Sequence, residues 1–277
     1  MDKNPLIRKG LAVGIILFFV GTCIIPAIAQ NIDEKVPQTI CRGGDHDPIH
    51  IDGNDQFTPE NGVTGGDGTI NNPYLIENWV FIAVGSGQAI SIWNTDAYFI
   101  IRNCTIRGFQ DGIWFIRVAN GGIEETTIET TPAWDETGII IVNSQNIKIT
   151  DNTINSDITN LGLESAYNMS ISRNTFTGWL VIGGSNNIIF SYNTVINGSL
   201  HVGGNCILDS NNLMTYSEIY VPLFSHVKLR HNYWGEPKIF PKFIIGTIYK
   251  PGEDHPVLIL PWFFIDWRPA QVPYVIP

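Results

Sequence analysis

The sequence predicts an all-β solenoid of stacked coils, and three observations carry that prediction. A short motif recurs as Ile149-Thr-Asp-Asn-Thr-Ile154, Ile171-Ser-Arg-Asn-Thr-Phe176, Phe190-Ser-Tyr-Asn-Thr-Val195, Leu208-Asp-Ser-Asn-Asn-Leu213 and Leu229-Arg-His-Asn-Tyr-Trp234. Its asparagines, Asn152, Asn174, Asn193, Asn211 and Asn232, are 18 to 22 residues apart, the period of units that bury a face only by stacking on one another. Ile101-Arg-Asn-Cys-Thr-Ile106 and Ile123-Glu-Glu-Thr-Thr-Ile128 are weaker copies that put Cys104 and Thr126 in the asparagine column. With 44% hydrophobic and 15% charged residues beside 27 Gly and 16 Pro, the composition is that of an ordered, turn-rich chain. Beyond the N-terminal segment, apolar residues alternate over short runs and hold no helical period, which is the strand signal.

The elements follow in order. Residues 1–29 read as a signal peptide: Lys3, Arg8 and Lys9 precede an uncharged apolar run, and Ala27-Ile-Ala29 supplies the small-x-small cleavage site. The competing reading is a retained anchor, because the run approaches the ~20 residues that cross a bilayer. Residues 30–47 form an N-terminal extension, 48–235 the solenoid of about seven to nine coils, and 236–277 an irregular Pro- and aromatic-rich cap. The polar stretch 45–77 is expected to make the first coil and its cover, since both ends of a solenoid must hide strand edges and core.

Each coil begins with a strand whose second and fourth residues point inward: Ala89-Ile-Ser-Ile92, Gly112-Ile-Trp-Phe115, Gly138-Ile-Ile-Ile141, Gly162-Leu-Glu-Ser165, Trp179-Leu-Val-Ile182, Ser199-Leu-His-Val202 and Glu218-Ile-Tyr-Val221. The motif asparagine is expected at the following bends, where it tolerates a left-handed backbone and where like amides stack into a ladder.

Charge narrows the partners. The formal charge is −10, and removing the net +2 of residues 1–29 leaves about −12, which disfavours nucleic acid and anionic membrane surfaces. Cys41, Cys104 and Cys206 remain after cleavage, too few and too scattered for a disulfide framework; Cys104 and Cys206 read as small core side chains. Oligomeric state has no sequence signal.

Pro48-Ile-His-Ile-Asp-Gly-Asn-Asp55, Gly66-Asp-Gly-Thr-Ile-Asn-Asn-Pro-Tyr-Leu-Ile76, the Ile-x-x-Asn-Thr-Ile coils and Asn232-Tyr-Trp-Gly235 together resemble the exported right-handed parallel β-helix proteins of the NosD-like, carbohydrate-binding and sugar-hydrolase group. The resemblance covers about residues 48 to 235 and implies a right-handed coil and an association with sugars. It also raises copper, for which three Met and dispersed His provide no gathered ligand set.

Candidate chemistry is sparse. Asp151 with Arg173, and Asp209 with Arg230, are expected to pair between adjacent coils as surface ions worth at most ~1 kcal/mol. Asp45, Asp47, Asp52, Asp55 and Asp67 leave calcium open as the one cofactor, although the spacing from Asp52 is not that of a helix-loop-helix site. The outward position of the first strand reads Ser91, Trp114, Ile140, Glu164, Val181, His201, Tyr220. Of these Trp114, Glu164, His201 and Tyr220 suit a sugar, with rings for stacking and polar atoms for hydroxyls. Alternatively the tail residues Trp262, Phe263, Phe264 and Trp267 pack over the strip. No catalytic constellation stands out, although Glu164 and His201 would lie about 10 Å apart across two coils. The expectation is a secreted or cell-surface scaffold recognising a polysaccharide or glycoprotein. A polysaccharide lyase or glycoside hydrolase is the alternative, and a structural cell-envelope module the third reading.

Overall fold

A computed structural model describes residues 45–131, 135–214, 218–248 and 257–276. The signal segment, Cys41 and the side chain of Trp262 lie outside the described residues. The chain winds about seven turns of parallel β-solenoid, each turn laying one strand on each of three faces. The first face stacks Ile49–Asp52, Gln88–Thr95, Asp111–Val118, Thr137–Val142, the ends of Thr153–Glu164 and Thr175–Gly183, Ser199–Val202 and Glu218–Tyr220. The second face runs from Tyr74–Glu77 to His226–Arg230, and the third from Val80–Ile82 to Asn212–Leu213.

Parallel, in-register pairing converts the sequence period into columns of like side chains. On the second face Ile76, Ile101, Ile123, Ile149, Ile171, Phe190, Leu208 and Leu229 follow one another from coil to coil. On the third face the column is Phe81, Ile106, Ile128, Ile154, Phe176, Val195 and Leu213. Both columns point into one continuous core whose members are almost wholly buried. Burying such a side chain contributes about 1.5–3 kcal/mol each, which no isolated coil would gain.

The asparagine ladder exists, and its geometry corrects the reason expected for it. The left-handed residue at the bend is the one before each asparagine: Asp151, Arg173, Tyr192, Ser210 and His231 have φ of 52 to 59°. The asparagines themselves turn inward and are almost completely buried. Each Oδ1 accepts the backbone N–H of the column residue one coil earlier, and each Nδ2 donates to a core-strand carbonyl: Asn174 Nδ2 to Ile149 O at 2.9 Å, Asn193 Nδ2 to Ile171 O at 2.9 Å. A buried bend needs donor and acceptor in one side chain, which selects an amide. Thr126 and Cys104 continue the column, with Cys104 N–H donating to Thr126 Oγ1 and Thr126 N–H to Asn152 Oδ1.

At the N-terminal end Phe57 stacks on Tyr74 at 4.7 Å and plugs the first coil. At the other end Lys242–Ile248 and Val257–Asp266 form an antiparallel hairpin that extends the second-face sheet beyond Arg230 and buries Ile244 and Phe264. The described tail therefore covers the end of the solenoid, and Phe263 and Trp267 point outward, 46% and 68% exposed, instead of lying on the first-face strip. Arg173 does pair with Asp151, at 2.6 Å. Asp209 instead meets His231 Nδ1 at 3.3 Å, because the left-handed bend turns that ring back toward the preceding coil.

Candidate functional site

Strand register decides which outward side chains share a row. On the first face the row is His50, Ser91, Trp114, Ile140, Gly162, Val181, His201 and Tyr220. Trp114, His201 and Tyr220 therefore stand where the sequence pattern placed them. Glu164 does not: it aligns with Val142 and Gly183, two residues farther along the strand, and Gly162 occupies its expected place. Pairing with Thr137–Val142 keeps one offset throughout, Thr137 with Thr159 and Ile139 with Leu161, so the strand reaches the row two residues earlier than a start at Gly162 suggests; the irregularity between Asn155 and Leu161 lies in the pairing with Thr175–Gly183. Leu161 and Leu163 consequently face inward, and Ser165 becomes an exposed bend residue with φ of 51°. Asn160 fills the irregularity, fully buried, donating to Ser156 O and Thr177 O and accepting from Thr177 N–H. Glu164 and His201 are thus offset along the strand as well as across two coils, farther apart than the expected two-coil step.

The row carries aromatic rings at both ends. Toward the C-terminal coils Trp179, His201 and Tyr220 form a run with centroid separations of 6.3 and 4.7 Å, and Trp179 is half exposed. Trp179 was legible in the sequence, since it shares strand parity with Val181. Toward the N-terminal coils His50 bonds Ser91 Oγ at 2.8 Å and meets Trp93 edge-on at 4.8 Å. The indole nitrogens of Trp93 and Trp114 are buried without a hydrogen-bond partner among the described residues.

At the corner between the first and second faces the chain bends through left-handed residues in coils two to five: Asn94, Arg117, Asn143 and Ser165. Stacked, these bends leave a groove of about 950 Å³ that runs along the solenoid axis from Asn54 to Tyr167. Its N-terminal half is cross-linked. Asn94 donates to Asp52 and accepts from Arg117 Nε, both at 2.5 Å, and Asn54 donates to Asp96 at 2.7 Å. Nothing in the repeat motif marks this groove, because the lining residues differ in kind from coil to coil.

The remaining acids and thiols define what the fold does not assemble. No group of three His, Cys, Asp or Glu among the described residues is placed to hold a metal ion, so Asp45, Asp47, Asp52, Asp55 and Asp67 do not form a calcium cage there. Asp67 instead caps Thr69, accepting from its N–H and hydroxyl. Burial, with the charge of Asp135 nearby, pushes the Asp111 carboxyl up to about 6. Burial also raises the Cys104 and Cys206 thiols to about 11 and about 12, which leaves them protonated and unreactive.

A stack of parallel coils with three flat faces and an asparagine column defines a β-solenoid. The chain belongs to the right-handed β-helix family: residues 62–222 match the family model described as right handed beta helix region. No curated protein and no solved structure matches the chain.

Proposed function

We propose that this protein is an exported, non-catalytic scaffold, secreted or held at the cell surface, that recognises a polysaccharide or glycoprotein through the first face of its solenoid. The observation that carries the reading is the run Trp179, His201, Tyr220, three rings on adjacent coils of one flat face. Ring faces take the apolar C–H face of a sugar, and imidazole and phenol groups bond its hydroxyls. Coils about 4.8 Å apart set these groups at a spacing fit for an extended polymer. The charge of about −12 after loss of residues 1–29 argues against nucleic acid as the partner. The test is retention of residues 30–277 on immobilised polysaccharides, compared with Trp179→Ala. Removing a half-exposed ring from a stack is expected to weaken retention about tenfold, about 1.4 kcal/mol, without affecting folding. Equal retention of the two proteins would refute the assignment of the site.

Asp111 favours a second reading, glycoside hydrolysis. A carboxyl pushed up to about 6 stays protonated in mildly acidic solution, as a general acid must. Release of reducing ends that disappears in Asp111→Asn would favour the hydrolase; no release from any glycan that binds would dismiss it.

A further inference from the structure

The axial groove at the corner of the first and second faces differs in its two halves. In coils one to three most of its polar side chains bond one another, through Asp52, Asn94 and Arg117 Nε on one side and Asn54 with Asp96 on the other. That network holds this half of the groove in shape without a ligand. In coil four the side-chain amides of Asn143 and Gln145 line the groove and have no hydrogen-bond partner among the described residues, beside the ring of Tyr167 on coil five, 53% exposed. Five coils at about 4.8 Å make the groove roughly 19 Å long, and its direction is the solenoid axis.

We infer that this groove is a second binding site that takes a linear, uncharged glycan laid along the axis, its hydroxyls on the free amides of Asn143 and Gln145 and one ring on Tyr167. The inference rests on the glycan reading above and specifies its substrate class. Amides both donate and accept, matching hydroxyls that do the same, whereas they offer no countercharge to an acidic sugar. The charges in the groove point the same way. Asp55 and Asp96 line it, and Arg117, its one cation, has its Nε committed to Asn94. A uronate polymer would therefore meet repulsion along the N-terminal half.

The experiment compares retention of the wild-type chain, Tyr167→Ala, Gln145→Ala and Trp179→Ala on immobilised glucan, mannan, xylan and polygalacturonate. Neither Tyr167 nor Gln145 makes a side-chain hydrogen bond among the described residues, so both variants retain the coil pairing. The expected result is retention on at least one neutral polymer, reduced about tenfold by Tyr167→Ala and severalfold by Gln145→Ala. Retention on a neutral polymer that only Trp179→Ala weakens would overturn the groove as a site and leave the glycan reading standing. Retention on polygalacturonate alone would overturn the substrate class. Retention on none of the four would remove the glycan reading and this inference with it.

Discussion

Replacing Asp266 with asparagine exchanges one carboxylate oxygen for an NH₂ group and is expected to loosen the C-terminal end of the solenoid. Every asparagine in the column passes its N–H groups toward the next coil, so the last one, Asn232, requires an acceptor that does not itself donate. Asp266, fully buried on the returning strand, supplies it. Its Oδ2 accepts Asn232 N–H at 2.8 Å and Trp234 Nε1 at 3.2 Å, and its Oδ1 accepts His231 N–H at 3.0 Å and Arg268 N–H at 3.2 Å. Whichever way an amide is placed, its NH₂ faces two of these donors. Two hydrogen bonds to a charged acceptor, at about 1.5–3 kcal/mol each, are lost. Relief from burying a charge returns part of this, leaving a net destabilisation of about 2–4 kcal/mol out of a total of roughly 5–15. Equilibrium urea unfolding measures the difference, and hydrogen exchange at the Asn211 and Asn232 amides shows whether the loss is local to the last coils. An Asp266→Asn protein within about 0.5 kcal/mol of wild type, with unchanged exchange at those amides, would refute the reasoning.

Other expectations follow from the buried titrating groups. The Asp111 carboxyl lies above its unfolded value, so the folded state binds its proton more tightly; its contribution is complete below about pH 4 and is lost as pH rises to about 6. A shift of about two units corresponds to about 3 kcal/mol, reduced to about 1–2 by the partial exposure of the group. Asp111→Asn is expected to flatten that part of the stability curve, and an unchanged pH profile would count against the shift. Cys104 and Cys206, buried and protonated, are expected to resist iodoacetamide in the native protein and to react once it is unfolded in urea; peptide mapping that finds either one alkylated under native conditions would contradict their place in the core.

Much of the solenoid was legible because parallel stacking repeats the same environment in every coil. The period of the motif, the inward columns led by Ile149 and Ile171, the asparagine ladder and the Asp151–Arg173 pair all depend on spacings of one turn, and one turn is visible in the chain. Trp114, His201 and Tyr220 share a row for the same reason, since strand parity alone puts them outward.

Where the structure departs from that reading, an interaction not written in the local pattern decides the outcome. Glu164 lies two residues past the row of Trp114, which Gly162 joins through Ile140, a register that only pairing with the neighbouring strands reveals. Asp209 chooses His231 over Arg230 because a left-handed bend turns the ring, and the groove beside Tyr167 arises from several such bends in register. Asp266 lies outside the repeat, yet it ends the ladder that the repeat begins, because a returning strand carries it to the last asparagine. The sequence by itself determined the coil and its core, since both follow from local periodicity and the burial of apolar side chains. Register, the termination of the ladder and the shape of the groove were decided only in three dimensions, because each depends on contacts between segments whose separation in the chain follows no period.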